Sequence, residues 1–417
     1  MTSSLCEKER LDSPRRGAIP RRTFLLGLSL PLLRRSSLAA AKLRITALEV
    51  FVVPVNVRGD WIFIRLKTNL GLTGLGEASH GFGASRDRSA NLEHIHAALQ
   101  DCFELCRDQS PFDIEAYRRR GWPAASGGAL WARTAFSAIE QAHWDLAAKS
   151  LGVPVYQLSG GKLRDHLPLY ANINRATTDR SPAGFAANAA KAVEEGFASI
   201  KAAPFDGFPK LSASSADIRK AADVGVACTE AMRGAIGADR DLMIDCHSNF
   251  DVPLATDTAH RLDPLHLSWY EEPVAPTDLE DLSQIRKSVH QRIAAGELLF
   301  GMAGFSKLAA SGACDILMPD VKYCGGFMEA RHIAALAESY GREISPHNPS
   351  GPVALAASVQ LSAGIPNFAV LEYAWGEVPW RAELITPRET IERGQIRIPE
   401  TPGFGIELND KVIARHV

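Results

Sequence analysis

Six short apolar runs in the second half of the chain each stop at a group that can bind a metal or move a proton. They are Met243-Ile244-Asp245, Trp269-Tyr270-Glu271, Ala294-Ala295-Gly296-Glu297, Leu317-Met318-Pro319-Asp320, Ile344-Ser345-Pro346-His347 and Val370-Leu371-Glu372. Successive groups are separated by 26, 26, 23, 27 and 25 residues. One strand, one helix and two loops fill such an interval. A chemical group at the carboxyl end of each successive strand is how a (β/α)8 barrel builds an active site. Any one run alone is weak evidence, because an Asp leaving a strand is more often a turn former than a ligand. The repeat is what constrains the fold. Alternation along the strand predicts that Asp245 and His247 share one face and Cys246 takes the other.

Two further strands, Leu167–Asn174 and Phe197–Ala203, precede the six and bring the count to eight. Helical patterns lie between them, among them Pro182–Glu195, Asp217–Met232, Met328–Tyr340 and Val353–Ala363. Upstream the order differs. Lys42–Val53, Trp61–Leu66 and Gly71–Glu77 read as strands, followed by helices at Ala90–Cys106, Ile114–Arg119 and Ala132–Ser150. Strands and then helices make an α+β unit. The expected class is therefore α/β: a small α+β domain over 43–165, completed by 386–417, and a (β/α)8 TIM barrel over 166–385. On the apolar face of Ala132–Ser150, His143 is expected to be a packed core residue and not a ligand. The polar, Gly-rich loops Pro54–Asp60 and Ser79–Asp87 are expected to cover a neighbouring site.

The first forty residues do not fit either domain. Arg21-Arg22-Thr23-Phe24-Leu25-Leu26 is a twin-arginine pattern, and an apolar stretch and the small residues Ala39-Ala40-Ala41 follow it. Residues 1–41 read as an export signal, which places the mature protein in the periplasm or otherwise outside the cytoplasm. The alternative is a disordered basic tail. The apolar stretch is too short, and too broken by Gly27 and Pro31, to stay in a bilayer. Seven scattered cysteines contain no C-x-x-C, so free, mostly buried thiols are expected. A net charge of −2, with no basic face interleaved with aromatics, argues against a nucleic-acid partner.

Asp245, Glu271 and Glu297 would come from adjacent strands. Three carboxylates in one mouth repel unless a cation lies between them. All-oxygen ligation favours Mg²⁺ over Zn²⁺. Lys201, ending the second strand, would offset part of the remaining negative charge; a solvated surface lysine is the alternative. Asp320 and His347 end neighbouring strands. A carboxylate beside an imidazole fixes its tautomer and raises its basicity, which makes a general base.

These residues resemble the enolase superfamily in its mandelate racemase branch. The likeness is most specific at Asp245, Glu271-Glu272-Pro273, Gly296-Glu297, Pro319-Asp320 with Gly325-Gly326, and His347. It implies a modified (β/α)8 barrel with an α+β capping domain, Mg²⁺ on Asp245, Glu271 and Glu297, and a His347–Asp320 base. Racemases of this type carry Lys-x-Lys on the second strand, whereas here the sequence is Lys201-Ala202-Ala203. Where other branches place a lysine before Cys324-Gly325-Gly326, this chain has Tyr323. What remains resembles the acid-sugar dehydratases of the galactonate dehydratase kind. That likeness implies His247 as the acid for a departing 3-hydroxyl and Glu372 as an electrophilic donor beside Lys201. The expected activity is Mg²⁺-dependent dehydration of an acid sugar to a 2-keto-3-deoxy acid, and a homo-oligomer is expected. The alternatives are a one-base epimerase or racemase of a 2-hydroxy acid, a dehydratase of a diacid sugar, and an exported sugar-acid binding protein without turnover.

Overall fold

A computed structural model of the chain describes residues 42–56, 59–81 and 87–416. The twin-arginine stretch lies outside the described residues. Among the described residues no helix is long and apolar enough to cross a membrane.

Three antiparallel strands come first among the described residues: β1 (Ile45–Asn56), β2 (Gly59–Thr68) and β3 (Thr73–Glu77), paired in that order. Pro54–Asn56 and Gly59-Asp60, expected as loop, belong to the β1–β2 ladder instead. Helices α1 (Arg88–Glu104), α2 (Ile114–Gly127) and α3 (Leu130–Leu151) cover one face of this sheet. Phe136, Ile139, Ala142, Leu146 and Ala147 on α3 are buried, as their helical spacing predicts. The close approach of α3 to β3 needs glycine: a Cβ on Gly76 would lie 2.0 Å from the Ala138 carbonyl oxygen. His143 is buried as expected, donating from Nδ1 to the Pro111 carbonyl (3.1 Å) and stacking on Tyr117.

Eight parallel strands follow: β4 (His166–Asn172), β5 (Ser199–Ala202), β6 (Asp241–Asp245), β7 (Trp269–Glu271), β8 (Ile293–Ala295), β9 (Ile316–Leu317), β10 (Glu343–Ile344) and β11 (Leu371–Ala374). Each pairs with the next from β4 to β10. β11 closes the ring by pairing with β4, and a bridge from Ile344 to Phe368 joins it to the β10 side. The expected barrel is borne out. Its interior below the mouth is filled by Tyr170, Met243, Trp269, Ala294 and Ile316, so it is a packed core and not a channel.

The last segment does not add to the three-stranded sheet. β13 (Ile391–Glu392) and β14 (Gln395–Arg397) form a hairpin whose second strand pairs with β4 of the barrel. β12 (Ile385–Thr386) pairs with β15 (Glu407–Leu408). The segment meets the small domain elsewhere: a parallel bridge joins Gly403 to Pro154, with the Gly403 N–H donating to the Val153 carbonyl and its carbonyl accepting from the Val155 N–H (3.0 Å each), and Asp145 Oδ1 accepts from the Phe404 N–H at 2.7 Å. The six described cysteines are free, and five of them are buried.

Two buried carboxylates of the small domain cap barrel helices that begin at glycine and lack a capping side chain of their own. Glu140 on α3 accepts from the N–H groups of Phe327 (2.6 Å) and Met328 (3.0 Å), at the start of Phe327–Ser339. Glu77, ending β3, accepts from Gly351 and Ala354 (2.7 Å each), at the start of Pro352–Ala363. These bonds satisfy donors that a buried helix start would otherwise orphan. Glu77→Ala is expected to cost roughly 2–4 kcal/mol, because two buried N–H groups lose their acceptor. Thermal unfolding of the two proteins checks this, and an unchanged melting temperature would contradict the cap.

Candidate active site and metal centre

Asp245 and Glu271 are the last residues of β6 and β7, and Glu297 stands two residues beyond β8. Ligating oxygens of the three lie within 4.8 Å of one another. Asp245 and Glu271 are buried, and Glu297 is nearly so. Lys201 on β5 sits among them: its Nζ pairs with Glu271, lies 3.2 Å from Asp245 Oδ2 and 3.7 Å from Glu372 Oε1. It is fully buried, which removes the solvated-lysine alternative. Trp269 of the barrel core donates to Glu271 Oε2 at 2.8 Å.

The electrostatics fit a cation. Burial, and then the neighbouring Asp245, push the Glu271 carboxyl well above the usual range. Burial and Glu297 push Glu272 up to about 7. Glu297 Oε2 is buried and has no aligned hydrogen-bond donor. It lies 3.2 Å from His347 Nε2, a charge contact without hydrogen-bond geometry. An all-carboxylate set with one unsatisfied oxygen and a single lysine is short of positive charge, and a hard divalent ion such as Mg²⁺ suits it.

His347 follows β10 and Asp320 follows β9. Asp320 Oδ2 accepts from His347 Nδ1 at 2.8 Å, so Nε2 is the nitrogen turned toward the metal carboxylates. Burial alone would lower the imidazole's pKa, but Glu297, Glu372 and Asp320 outweigh it and hold it raised. The pairing expected from sequence is therefore present.

His247 also reaches the cluster, but not by strand alternation. β6 ends at Asp245, and His247 and Ser248 are both left-handed (φ 45° and 55°). The expectation of a shared strand face is corrected: a tight turn brings the two together. The His247 N–H donates to Asp245 Oδ1 at 3.0 Å, and its Nε2 lies 3.2 Å from Asp245 Oδ2. Burial lowers its pKa, yet Asp245 and Asp206 together hold it well above the ordinary value.

Glu372 lies inside β11, not beyond it. It accepts from Asn172 Nδ2 (2.6 Å) and from the Asn348 N–H (2.7 Å). Burial would raise its pKa, but Lys201 and His347 hold it below the usual carboxylate range. Both oxygens thus accept from groups of neighbouring segments, and Glu372 braces the loop carrying His347 beside Lys201.

Sequence reasoning missed several neighbours. Lys322 is buried two residues past Asp320, with Nζ 2.9 Å from Asp320 Oδ2 and 3.9 Å from the centre of the Tyr323 ring. A lysine inside an otherwise apolar run was the available signal. Asp206, in the loop after β5, binds His247 Nδ1 and has no local signature. His80 of the small domain and Arg175 after β4 are in contact, with His80 Nε2 accepting from Arg175 Nη1 at 3.0 Å.

A cavity of about 150 Å³ opens over these groups, lined by Lys201, Asp245, His247, Glu297 and His347 and also by His80 and Leu130 of the small domain. A roomier groove of about 450 Å³ lies along the helix Pro352–Ala363, but its lining is mostly apolar and contains no metal-ligating cluster. The small cavity is the one that holds carboxylates of the three-residue cluster and both imidazoles. Of the two segments expected to cover it, His80 is the residue among those described that lines it.

Residues 184–412 match the family model described as enolase C-terminal domain-like. Residues 53–160 match the N-terminal domain model of mandelate racemase / muconate lactonizing enzyme. The chain is 32% identical over 381 residues to a D-xylonate dehydratase of Haloferax volcanii, covering 88% of each chain. It is 30% identical to a D-galactonate dehydratase of Ralstonia pickettii over 89% of this chain and 94% of that one. Among solved structures, a mandelate racemase/muconate lactonizing enzyme from Jannaschia sp. CCS1 superposes with a TM-score of 0.79 at 31% identity, over 89% of this chain and 97% of that one.

Proposed function

The chain belongs to the mandelate racemase / muconate lactonizing enzyme family of the enolase superfamily, and on that premise we propose that it is a Mg²⁺-dependent dehydratase of acid sugars, giving a 2-keto-3-deoxy acid. One observation carries this reading. Two imidazoles from opposite strands of the ring, the third and the seventh, turn Nε2 toward the same carboxylate cluster, each at 3.2 Å. Sugar-acid dehydratase relatives at about this similarity support it.

Mg²⁺ held by Asp245, Glu271 and Glu297 would supply Lewis-acid stabilisation of the charge that develops on the substrate carboxylate. The other steps belong to side chains. His347, oriented by Asp320, takes the C2 proton at Nε2, and the C–H electron pair moves toward the carboxylate. Lys201 shares the resulting negative charge. His247, across the mouth, gives a proton to the 3-hydroxyl as the C3–O bond breaks. Water leaves, and the enol rearranges to the 2-keto acid. Beyond Lys201 the chain continues with Ala202-Ala203, neither of which can act as an opposite-face base.

Release of 2-keto acid from a panel of acid sugars, trapped as the semicarbazone, tests the proposal. His247→Asn should lower dehydration by about 10²–10⁴-fold while leaving C2 proton exchange with deuterated solvent measurable. Binding without turnover in the unaltered protein would leave only the sugar-acid binding reading. C2 inversion without loss of water would favour the epimerase.

A further inference from the structure

The two imidazoles at the mouth are held alike. His347 presents Nδ1 to Asp320, whose charge is balanced by buried Lys322 at 2.9 Å. His247 presents Nδ1 to Asp206, beside which lies the Arg180 guanidinium at 3.6 Å. In both cases Nε2 is left facing a metal-site carboxylate at 3.2 Å. The second arrangement joins residues 41 apart in sequence.

We propose that Asp206 is the positioning residue of the acid His247, as Asp320 is of the base. It takes the Nδ1 proton in a hydrogen bond and so fixes the tautomer and ring orientation that direct Nε2–H at the departing 3-hydroxyl. This rests on the reading of the chain as a dehydratase. Asp206 itself neither gains nor loses a proton in the reaction.

The surroundings are built to hold Asp206 still. Asn174 donates to its Oδ2 at 2.9 Å from the end of the neighbouring strand. The preceding residue, Phe205, packs edge-on against Phe250 at 5.0 Å, and Phe208 packs against the same ring at 5.1 Å. Phe205 also fills the space over Gly225, where a Cβ would meet its ring at 2.1 Å. Asn249 joins the two loops, donating from Nδ2 to the carbonyls of Cys246 (2.8 Å) and Phe205 (3.3 Å). The left-handed turn at His247-Ser248 is thereby locked to the loop that carries Asp206. A carboxylate whose only task was to pair with Arg180 would not need to face an imidazole in the cavity wall.

The test uses the Mg²⁺-loaded full enzyme. Outer partners of this kind are typically worth about 10–100-fold, so Asp206→Asn should lower dehydration by that factor and leave C2 exchange within about threefold. Residues acting as one unit are not additive, so the double variant with His247→Asn should be no slower than His247→Asn alone. Equal loss of elimination and exchange, or additive losses in the double variant, would overturn the proposal. A crystal structure of Asp206→Ala gives an arm independent of turnover: the His247 ring should leave its position, and an unmoved ring overturns the inference. Should the unaltered enzyme exchange C2 protons but dehydrate no acid sugar, the dehydratase reading fails and the ring position alone decides Asp206's role.

Discussion

His347→Asn is expected to abolish both C2 exchange and dehydration, losing about 10²–10⁴-fold or more in each. No neighbour can replace it. Asp320 is spoken for by His347 and Lys322, and both oxygens of Glu372 are taken up by Asn172 and Asn348. His247 stands on the opposite side of the ring, after the third strand, and lines the same cavity from there. Asparagine keeps the polarity of the site, so an intact fold with no exchange isolates the proton transfer. Asp320→Asn should also fall steeply, because an amide can donate to Nδ1 and hold the wrong tautomer. Deuterium incorporation at C2, followed by NMR, is the measurement. Persistent exchange in His347→Asn would remove the base from this residue.

The second large effect concerns the metal. Excess chelator should abolish turnover, and added Mg²⁺ should restore it. Glu297→Gln should weaken cation binding and lower turnover by roughly a thousandfold, since charge stabilisation by a bound ion is worth several kcal/mol. Glu297 is the informative choice among the three. Asp245 and Glu271 are also held by Lys201, so their loss would leave a buried ammonium without its partner and confound the result. Glu297 Oε2 has no aligned donor, so its removal breaks no hydrogen bond of that oxygen. Titration of Mn²⁺ by paramagnetic resonance reads the site without reference to activity. Undiminished cation binding in Glu297→Gln, or full activity in chelator, would refute the three-carboxylate assignment.

The barrel was legible because its signal is local and repeated. Each strand is a short apolar run, each ends where the chain must leave the sheet, and the interval between ends is set by one strand, one helix and their loops. That order alone placed Asp245, Glu271, Glu297, Asp320 and His347 at one end of one ring, and the structure gathers them there. The packing of α3 was legible for the same reason, since its buried face follows the helical period.

What tertiary structure decided is pairing across the ring and departures from regular backbone. His247 reaches the carboxylate cluster through a left-handed turn, a conformation that alternation along a strand does not anticipate. Glu372 has the composition of a donor, but the amide groups of Asn172 and Asn348 and the nearby ammonium of Lys201 make it an acceptor. Asp206 has no sequence signature, because its partner is brought beside it by the adjacency of β5 and β6. Glu77 and Glu140 look like ordinary acidic residues ending a strand and lining a helix, yet each satisfies helix N–H groups of the other domain. Sequence by itself determined which chemical groups stand at the strand ends, because strand ends are counted along the chain. Only the folded molecule decided which partners each group has and which way it points, because those partners lie mostly tens to hundreds of residues away.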